Sequence, residues 1–435
     1  MRFWARDVAR ATGGRLIGPD VVVEGVSFDS RSVQPGQMFV ALVDQRDGHD
    51  FVPGAVTAGA VAYLGSRLVD GAGSATAVVV DDPLRALMQL AADRRLHSDA
   101  TVIGVTGSVG KTSTKDLARA ALGASRRTWA NERSFNNDQG LPTTVLNAPD
   151  DTEVLVLEMG MRGFGEIERL CRVARPQVGV VTRVAEAHSD RVGGIDGVAR
   201  AKAELVESLP ADGTAVLNGD DPRVAAMAGR CAGRSVTFGE NSTADVRVAD
   251  VRLDDLARPR FVVATPWGRF EVSLGVSGRH MALNAAAALA CVGVVGGDVA
   301  AGADALASVS LSAMRMQVTR TAGGVTVLDD SYNANPTSMR AAIDALVALP
   351  ADRRVVVLGV MAEISDPEVE HRAIADYARE RGVEVLTTGT ALYGIEPLDD
   401  PVNALREIGP GTAVLVKGSR VAGLERVAAA LLAGA

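Results

Sequence analysis

Cysteine is scarce in this chain. Cys171, Cys231 and Cys291 are odd in number, lie far apart and form no CxxC pair. That pattern argues against a disulfide framework, a thiolate zinc site or a redox pair, and the three are expected to be buried thiols in a reducing cytoplasm. Positive charge is not in excess either: 45 Lys and Arg face 53 Asp and Glu, a net charge of −8. No general basic surface exists to hold a polyanion, so nucleic acid is not expected as a partner, while a small phosphorylated molecule needs only a few placed cations and N–H groups. No run of about 18 apolar residues occurs, and the first residues, MRFWARDVARATGG, lack the apolar centre of a signal peptide. The expectation is a cytoplasmic protein with no stable membrane insertion. No internal repeat and no low-complexity linker interrupts the sequence.

What is present is ample apolar material, 47% hydrophobic against 23% charged residues over 435 positions. At roughly 150 residues per domain that length suggests about three domains. Residues 1–98 read as a small α/β module, punctuated by Asp29-Ser30-Arg31, Pro35-Gly36 and Asp47-Gly48-His49. Region 99–310 opens with an apolar strand at 101–105, turns through glycines and enters a helix at 111–122. Strands follow at 154–157, 178–181 and 215–217, separated by helical stretches. This alternation predicts a parallel sheet with helices on both faces and the glycine loop at the carboxyl end of its first strand. Between 234 and 276 the runs RFVVA and RFEVSL around Pro266-Trp267-Gly268 predict an antiparallel flank, and the Ala-rich 281–295 a tightly packed helix. From 311 to 435 a renewed strand–helix rhythm predicts a smaller doubly wound domain.

The glycine loop GVTGSVGKTST at 104–114 carries the first chemical signal. Gly104, Gly107 and Gly110 let backbone N–H groups approach phosphate oxygens, Lys111 would neutralise a transferred phosphoryl group, and Thr112 offers a hydroxyl to magnesium. The strict pattern G-x-x-x-x-G-K-[ST] requires glycine where Val105 stands, so the loop by itself indicates a nucleotide and not a reaction; the plainer alternative is a glycine turn with a surface lysine. Glu158 closes an apolar strand at the same sheet edge, as a metal-binding carboxylate or as an ordinary strand-end acid. His188 lies just beyond the strand at 178–181, where a lone histidine is more often structural. Lys202 and Glu204, in RAKAEL, read first as the charged face of a helix, and Asn218, Asp220 and Asp221 as a turn. Asp329 and Asp330, ahead of Ser331-Tyr332-Asn333-Ala334-Asn335-Pro336, suit a ribose or phosphate site and equally a turn.

Taken in order, these segments resemble the Mur ligase family, most closely its D-alanyl-D-alanine-adding branch. The resemblance rests on DSRSVQPGQMFVAL at 29–42, DGHDF at 47–51, the glycine loop with its following Lys115, SFNNDQGLPTTVL at 134–146, EMGMRGFGEI at 158–167 and ARAKAEL at 199–205. It continues with LNGDD at 217–221, SGRHMALNAAAA at 277–288, LDDSYNANPTSM at 328–339 and VLVKGSR at 414–420. It implies an α/β protein of three domains: an N-terminal UDP-sugar-binding domain (1–98), a central P-loop ATPase-like parallel sheet (99–310) and a C-terminal Rossmann-like domain (311–435). The implied reaction uses ATP and Mg2+ to join D-alanyl-D-alanine to UDP-N-acetylmuramoyl-tripeptide through an acyl phosphate, by a monomer.

Carried over residue by residue, the resemblance gives nucleotide contacts to Gly107, Ser108, Gly110, Lys111, Thr112, Asn284, Arg315, Asp330 and Tyr332. Metal would be held by Thr112, Glu158, His188 and Lys202, the last as a carbamate; Lys111, Glu158, His188 and Lys202 would carry catalysis. Ser30 and Arg31 would face the uridine, and Asn136, Asn137 and Asn333 the peptide and dipeptide. Two loops depart from the family pattern, HSDRVGGID at 188–196 and Glu363-Ile364-Ser365, where Ser replaces Gly. Those departures leave open a divergent amide ligase with another acceptor or amine, and a non-catalytic nucleotide-binding regulator is the reading from a different class.

Overall fold

The computed structural model describes residues 1–132, 134–186, 189–406 and 408–434, apart from the side chains of 189, 190 and 434. Four sheets organise them. Near the N-terminus, Arg2–Trp4 pairs antiparallel with Val22–Glu24. A five-stranded sheet runs in the order Arg15–Ile17, Thr76–Val79, Ala62–Gly65, Met38–Val40, Val26–Ser27, parallel except for its first strand.

One face of this sheet closes on a small cluster of its own, with Phe39, Tyr63 and Ala77 against Val52 and Ala55, while the other face shares its core with the central domain. Helix Pro83–Leu96 starts cleanly because Asp82 accepts the N–H groups of Leu84 and Arg85 and proline occupies the first turn. Its buried Leu87, Leu90 and Ala91 join one hydrophobic cluster with Leu141 and Val145 of helix Gly140–Asn147 and Leu170 of helix Glu166–Ala174. Asn147 also holds Val26 by both backbone groups, at 2.7 and 2.9 Å. The N-terminal sheet is thereby tied to the flank of the central one.

The central sheet has nine strands, in the order Thr128–Ala130, Val154–Glu158, Thr101–Thr106, Val178–Val181, Thr214–Asn218, Arg234–Gly239, Val246–Leu253, Pro259–Thr265, Gly268–Ser273. The first seven are parallel neighbours. Every residue of Val154–Glu158 and Thr214–Asn218 is buried, the signature of parallel strands covered on both faces. The expected antiparallel flank begins later than residue 234. Arg234–Gly239 extends the parallel sheet because the turn of helix at Pro222–Ala225 lets the chain cross back, and Val246–Leu253 overlaps it only at Phe238 and Gly239, so a short link suffices for a parallel pair. Only the last two strands are antiparallel. Helix Met281–Val294, apolar except for Asn284 and almost wholly buried, packs on helix Lys111–Gly123 beneath the sheet.

The C-terminal sheet runs Gln317–Arg320, Thr326–Asp329, Thr412–Lys417, Arg353–Leu358, Glu384–Thr387, parallel apart from its first, edge strand. Helix Pro336–Ala348 is opened by a capping box between Asn335 and Ser338 with proline at its first position, so the run that follows Thr326–Asp329 is a tight strand-to-helix connection. The carboxyl ends of Thr101–Thr106 and Thr326–Asp329 face one cavity. Among the described residues no helix is long and apolar enough to cross a membrane.

Candidate active site

A cavity of about 890 Å3 lies between the central and C-terminal sheets, and its floor is the glycine loop. Gly110 precedes helix Lys111–Gly123 with φ 83°, a left-handed conformation that favours glycine, so the first N–H groups of the helix are turned to the cavity. A Cβ on Gly107 would stand 1.9 Å from Thr182 Oγ1, whose hydroxyl donates to Val109 O at 2.6 Å. The loop therefore presents bare backbone where a phosphate would sit. Ser108 also lines the cavity; its N–H donates to Arg183 O, and its hydroxyl donates to Ala185 O and accepts from Ala185 N. These bonds fasten the loop to the next strand end, because the two polar groups of Ser108 match the free backbone of residues 183–185.

Lys111 bends back over the loop and donates to Gly107 O at 2.7 Å. Burial lowers its pKa from the ordinary lysine value, Glu158 opposes that shift, and Arg315 adds to it. Beside it, Thr112 Oγ1 donates to Glu158 Oε2 at 2.9 Å, and Asn136 Nδ2 donates to Glu158 Oε1 at 2.6 Å. Glu158 is buried, yet it lines the cavity. Arg315 reaches across from the segment leading into the C-terminal sheet, donates to Thr112 Oγ1 at 3.2 Å, and lies over the Tyr332 ring at 4.0 Å. The Tyr332 hydroxyl in turn meets Ser134 Oγ.

Lys202 is buried on helix Ile195–Glu207 and lines the same cavity. Among the described residues no hydrogen bond or ion pair holds its amine. Burial, helped by the nearby Lys111 charge, pushes its pKa well below the usual lysine range, which favours the neutral, nucleophilic form. His188 lies outside the described residues. Asn284 is buried with Oδ1 against Gly110, and Asn333 is exposed at the rim. Asn137 lines the cavity while its Oδ1 caps the backbone of Gln139 and Gly140.

Asp330 is engaged from within the protein. Lys417 Nζ bonds its Oδ2 at 2.5 Å and Asn333 O at 2.8 Å, and Met316 N donates to Oδ1 at 3.2 Å. Lys417 ends a fully buried strand, and burial lowers its pKa while Asp330 opposes that shift. Lys417 falls in the VLVKGSR segment, where the signal of its role is a lysine at the end of an otherwise apolar strand. Ser30 and Arg31 are apart from this cavity. Arg31 is exposed and bound to Asp29 at 2.7 and 2.8 Å, and the link from that turn to the cavity edge is the ring contact of Phe28 with Phe135, centroids 5.6 Å apart.

Among the described residues no three of His, Cys, Asp and Glu cluster as metal ligands. The oxygens that are present still suit a hard cation. Thr112 and Glu158 offer a hydroxyl and a carboxylate side by side, and magnesium commonly takes one or two such protein oxygens with phosphate and water completing its shell. The glycine cradle, filled by any Cβ at 107, suits the phosphates of a nucleotide.

The Mur ligase middle domain profile matches residues 105–292, and the Mur ligase, glutamate ligase domain profile matches residues 314–420. The UDP-N-acetylmuramoyl-tripeptide--D-alanyl-D-alanine ligase of Mycobacterium tuberculosis is 39% identical to this chain, covering 94% of it and 92% of that enzyme. A crystal structure of MurF from Acinetobacter baumannii superposes with a TM-score of 0.89 at 28% identity, over 100% of this chain and 99% of that one. MurF ligase from Thermotoga maritima in complex with ADP superposes with a TM-score of 0.82 at 28% identity, over 95% of this chain and 98% of that one.

Proposed function

The chain belongs to the Mur ligase family, and on that premise we propose how its residues divide the work of an ATP-dependent ligase that joins D-alanyl-D-alanine to UDP-N-acetylmuramoyl-tripeptide in peptidoglycan precursor synthesis. The observation that carries the reading is one cavity in which the glycine loop, the Thr112–Glu158 pair and the Arg315–Tyr332–Asp330 group from the C-terminal sheet all converge. We assign residues 1–98 to the UDP-sugar, with Ser30 and Arg31 toward the uridine; 99–310 to ATP; and 311–435 to closure over ATP and delivery of the dipeptide. Asn136, Asn137 and Asn333 line the path of the two peptides.

A carboxylate is a poor electrophile, and this arrangement is suited to activating it. The terminal carboxylate oxygen of the tripeptide attacks the γ-phosphorus of ATP, the bond to ADP breaks, and an acyl phosphate forms. Lys111 gives up its bond to Gly107 O to face the phosphates, while Arg315 approaches from the opposite wall. Thr112, Glu158 and His188 would hold Mg2+, and a carbamate on Lys202 would bind a second magnesium ion. These ions would neutralise the phosphate oxygens during transfer. Lys202 is suited to carbamylation because its amine is buried, partnerless among the described residues and biased to the neutral form. The dipeptide amine then attacks the acyl carbon, and the tetrahedral intermediate expels phosphate to leave an amide. Water would destroy the acyl phosphate, so a cavity walled by two sheets is the shield. The dependence on ATP and the three free thiols fit work in the cytoplasm.

The test is phosphate release from ATP by the purified protein with UDP-N-acetylmuramoyl-tripeptide and D-alanyl-D-alanine, each omitted in turn. Release should require both. Release that ignores them, or that follows a different acid or amine, would refute the assignment.

A further inference from the structure

Strand Thr128–Ala130 pairs with Val154–Val156 and then leaves the sheet, so Glu158 lies beyond the end of its neighbour. The side chain of Asn131 takes over where the backbone departs: its Oδ1 accepts the Glu158 N–H at 2.6 Å, and its Nδ2 donates to Phe135 O at 2.6 Å. Asn131 is buried, and behind it Lys115, also buried, donates to Asn131 O at 2.8 Å and pairs with Asp116 at 3.0 Å. Asp116 accepts from Ser312 N at 2.8 Å, on the segment that three residues later supplies Arg315 to the cavity. One polar chain thus runs from the Glu158 backbone, through the helix that follows the glycine loop, to the connection with the C-terminal sheet.

We propose that Asn131 and Lys115 are positioning residues for the ligase reaction. Asn131 fixes the height of Glu158 and the course of residues 134–137, and Lys115 locks that turn to the phosphate-binding helix while Asp116 anchors the Arg315 segment. The turn is well placed for this. Asn136 reaches Glu158, Ser134 meets Tyr332 and Phe135 meets Phe28, so a shift in the turn is felt at the carboxylate and at both neighbouring sheets. A buried lysine and asparagine would otherwise be an expensive choice over apolar residues.

The proposal rests on Glu158 as a metal-side carboxylate, and the experiment separates the two. Asn131→Ala and the charge-neutral pair Lys115→Met/Asp116→Asn are compared with the parent chain in three measurements: ADP affinity without metal by calorimetry, Mn2+ affinity in the presence of ADP by electron paramagnetic resonance, and steady-state turnover. Loss of an outer-shell partner should weaken Mn2+ binding and kcat by about 10- to 100-fold while metal-free ADP affinity and the KM for ATP stay within about threefold. Unchanged Mn2+ affinity and kcat in either folded variant would overturn the proposal. So would a parallel fall in metal-free ADP affinity, the mark of a merely structural role. Should Asn131→Ala fail to fold, the paired variant decides alone, since it leaves the Asn131 side chain in place. A parent chain whose Mn2+ affinity is insensitive to Glu158→Gln would instead overturn the reading of Glu158.

Discussion

Replacing Asp330 with Asn probes how the C-terminal wall of the cavity is built. Asp330 and Lys417 form a buried ion pair at 2.5 Å, with Lys417 also bound to Asn333 O. At an effective dielectric of 20 the attraction is about 7 kcal/mol, much of it offset by the cost of dehydrating both ions. Removing one partner leaves the other charge buried and should cost about 3–5 kcal/mol. The cost depends on pH in a definite sense. Burial already lowers the Lys417 pKa and Asp330 holds it up, so Asp330→Asn lowers it further. Between that lowered value and about 10.4 the unfolded chain binds a proton that the folded chain does not, so stability rises with pH across this window. In the parent chain the window is narrower and lies higher. The penalty of Asp330→Asn is therefore largest near pH 6 and shrinks toward pH 9, where Lys417 can shed its proton. Hydrogen exchange of the amides in Thr412–Lys417 reads the local stability directly. The double variant Asp330→Asn/Lys417→Met should recover at least half of the loss, because it buries no unpaired charge. An equal penalty at both pH values, or a double variant as unstable as the single one, would refute the account.

Two further outcomes are expected. Gly107→Ala puts a methyl group 1.9 Å from Thr182 Oγ1, so the loop must shift; ADP affinity by calorimetry should fall at least about tenfold, whereas Gly54→Ala, whose Cβ would meet nothing within 4 Å, should leave it unchanged. Lys202→Met removes a buried amine that the folded state holds deprotonated more readily than the unfolded state does. At pH 7 this variant should be as stable as the parent or more so, with the difference closing toward pH 10 as the unfolded lysine also loses its proton, while turnover is lost. Destabilisation by more than about 1 kcal/mol at pH 7 in a urea titration would contradict that origin of the shift.

Much of this protein is local and so was determined by the sequence alone. A glycine loop between an apolar strand and a helix specifies its own geometry, because the left-handed turn at Gly110 and the free N–H groups of the following helix depend on a dozen contiguous residues. The alternating strands and helices, and the proline-led, Asn-capped start of helix Pro336–Ala348, are legible for the same reason. The tertiary structure decided whatever depends on partners far apart in the chain. The Ser108 hydroxyl is held by a carbonyl 77 residues away. Arg234–Gly239 extends the parallel sheet because the chain direction is set by the helical turn before it and not by its own strand-like composition. Lys417 finds Asp330 across 87 residues, and Arg315 finds Thr112 across 203. Side-chain chemistry announces that such residues need partners; only the packing of one sheet end against another decides which partners they find.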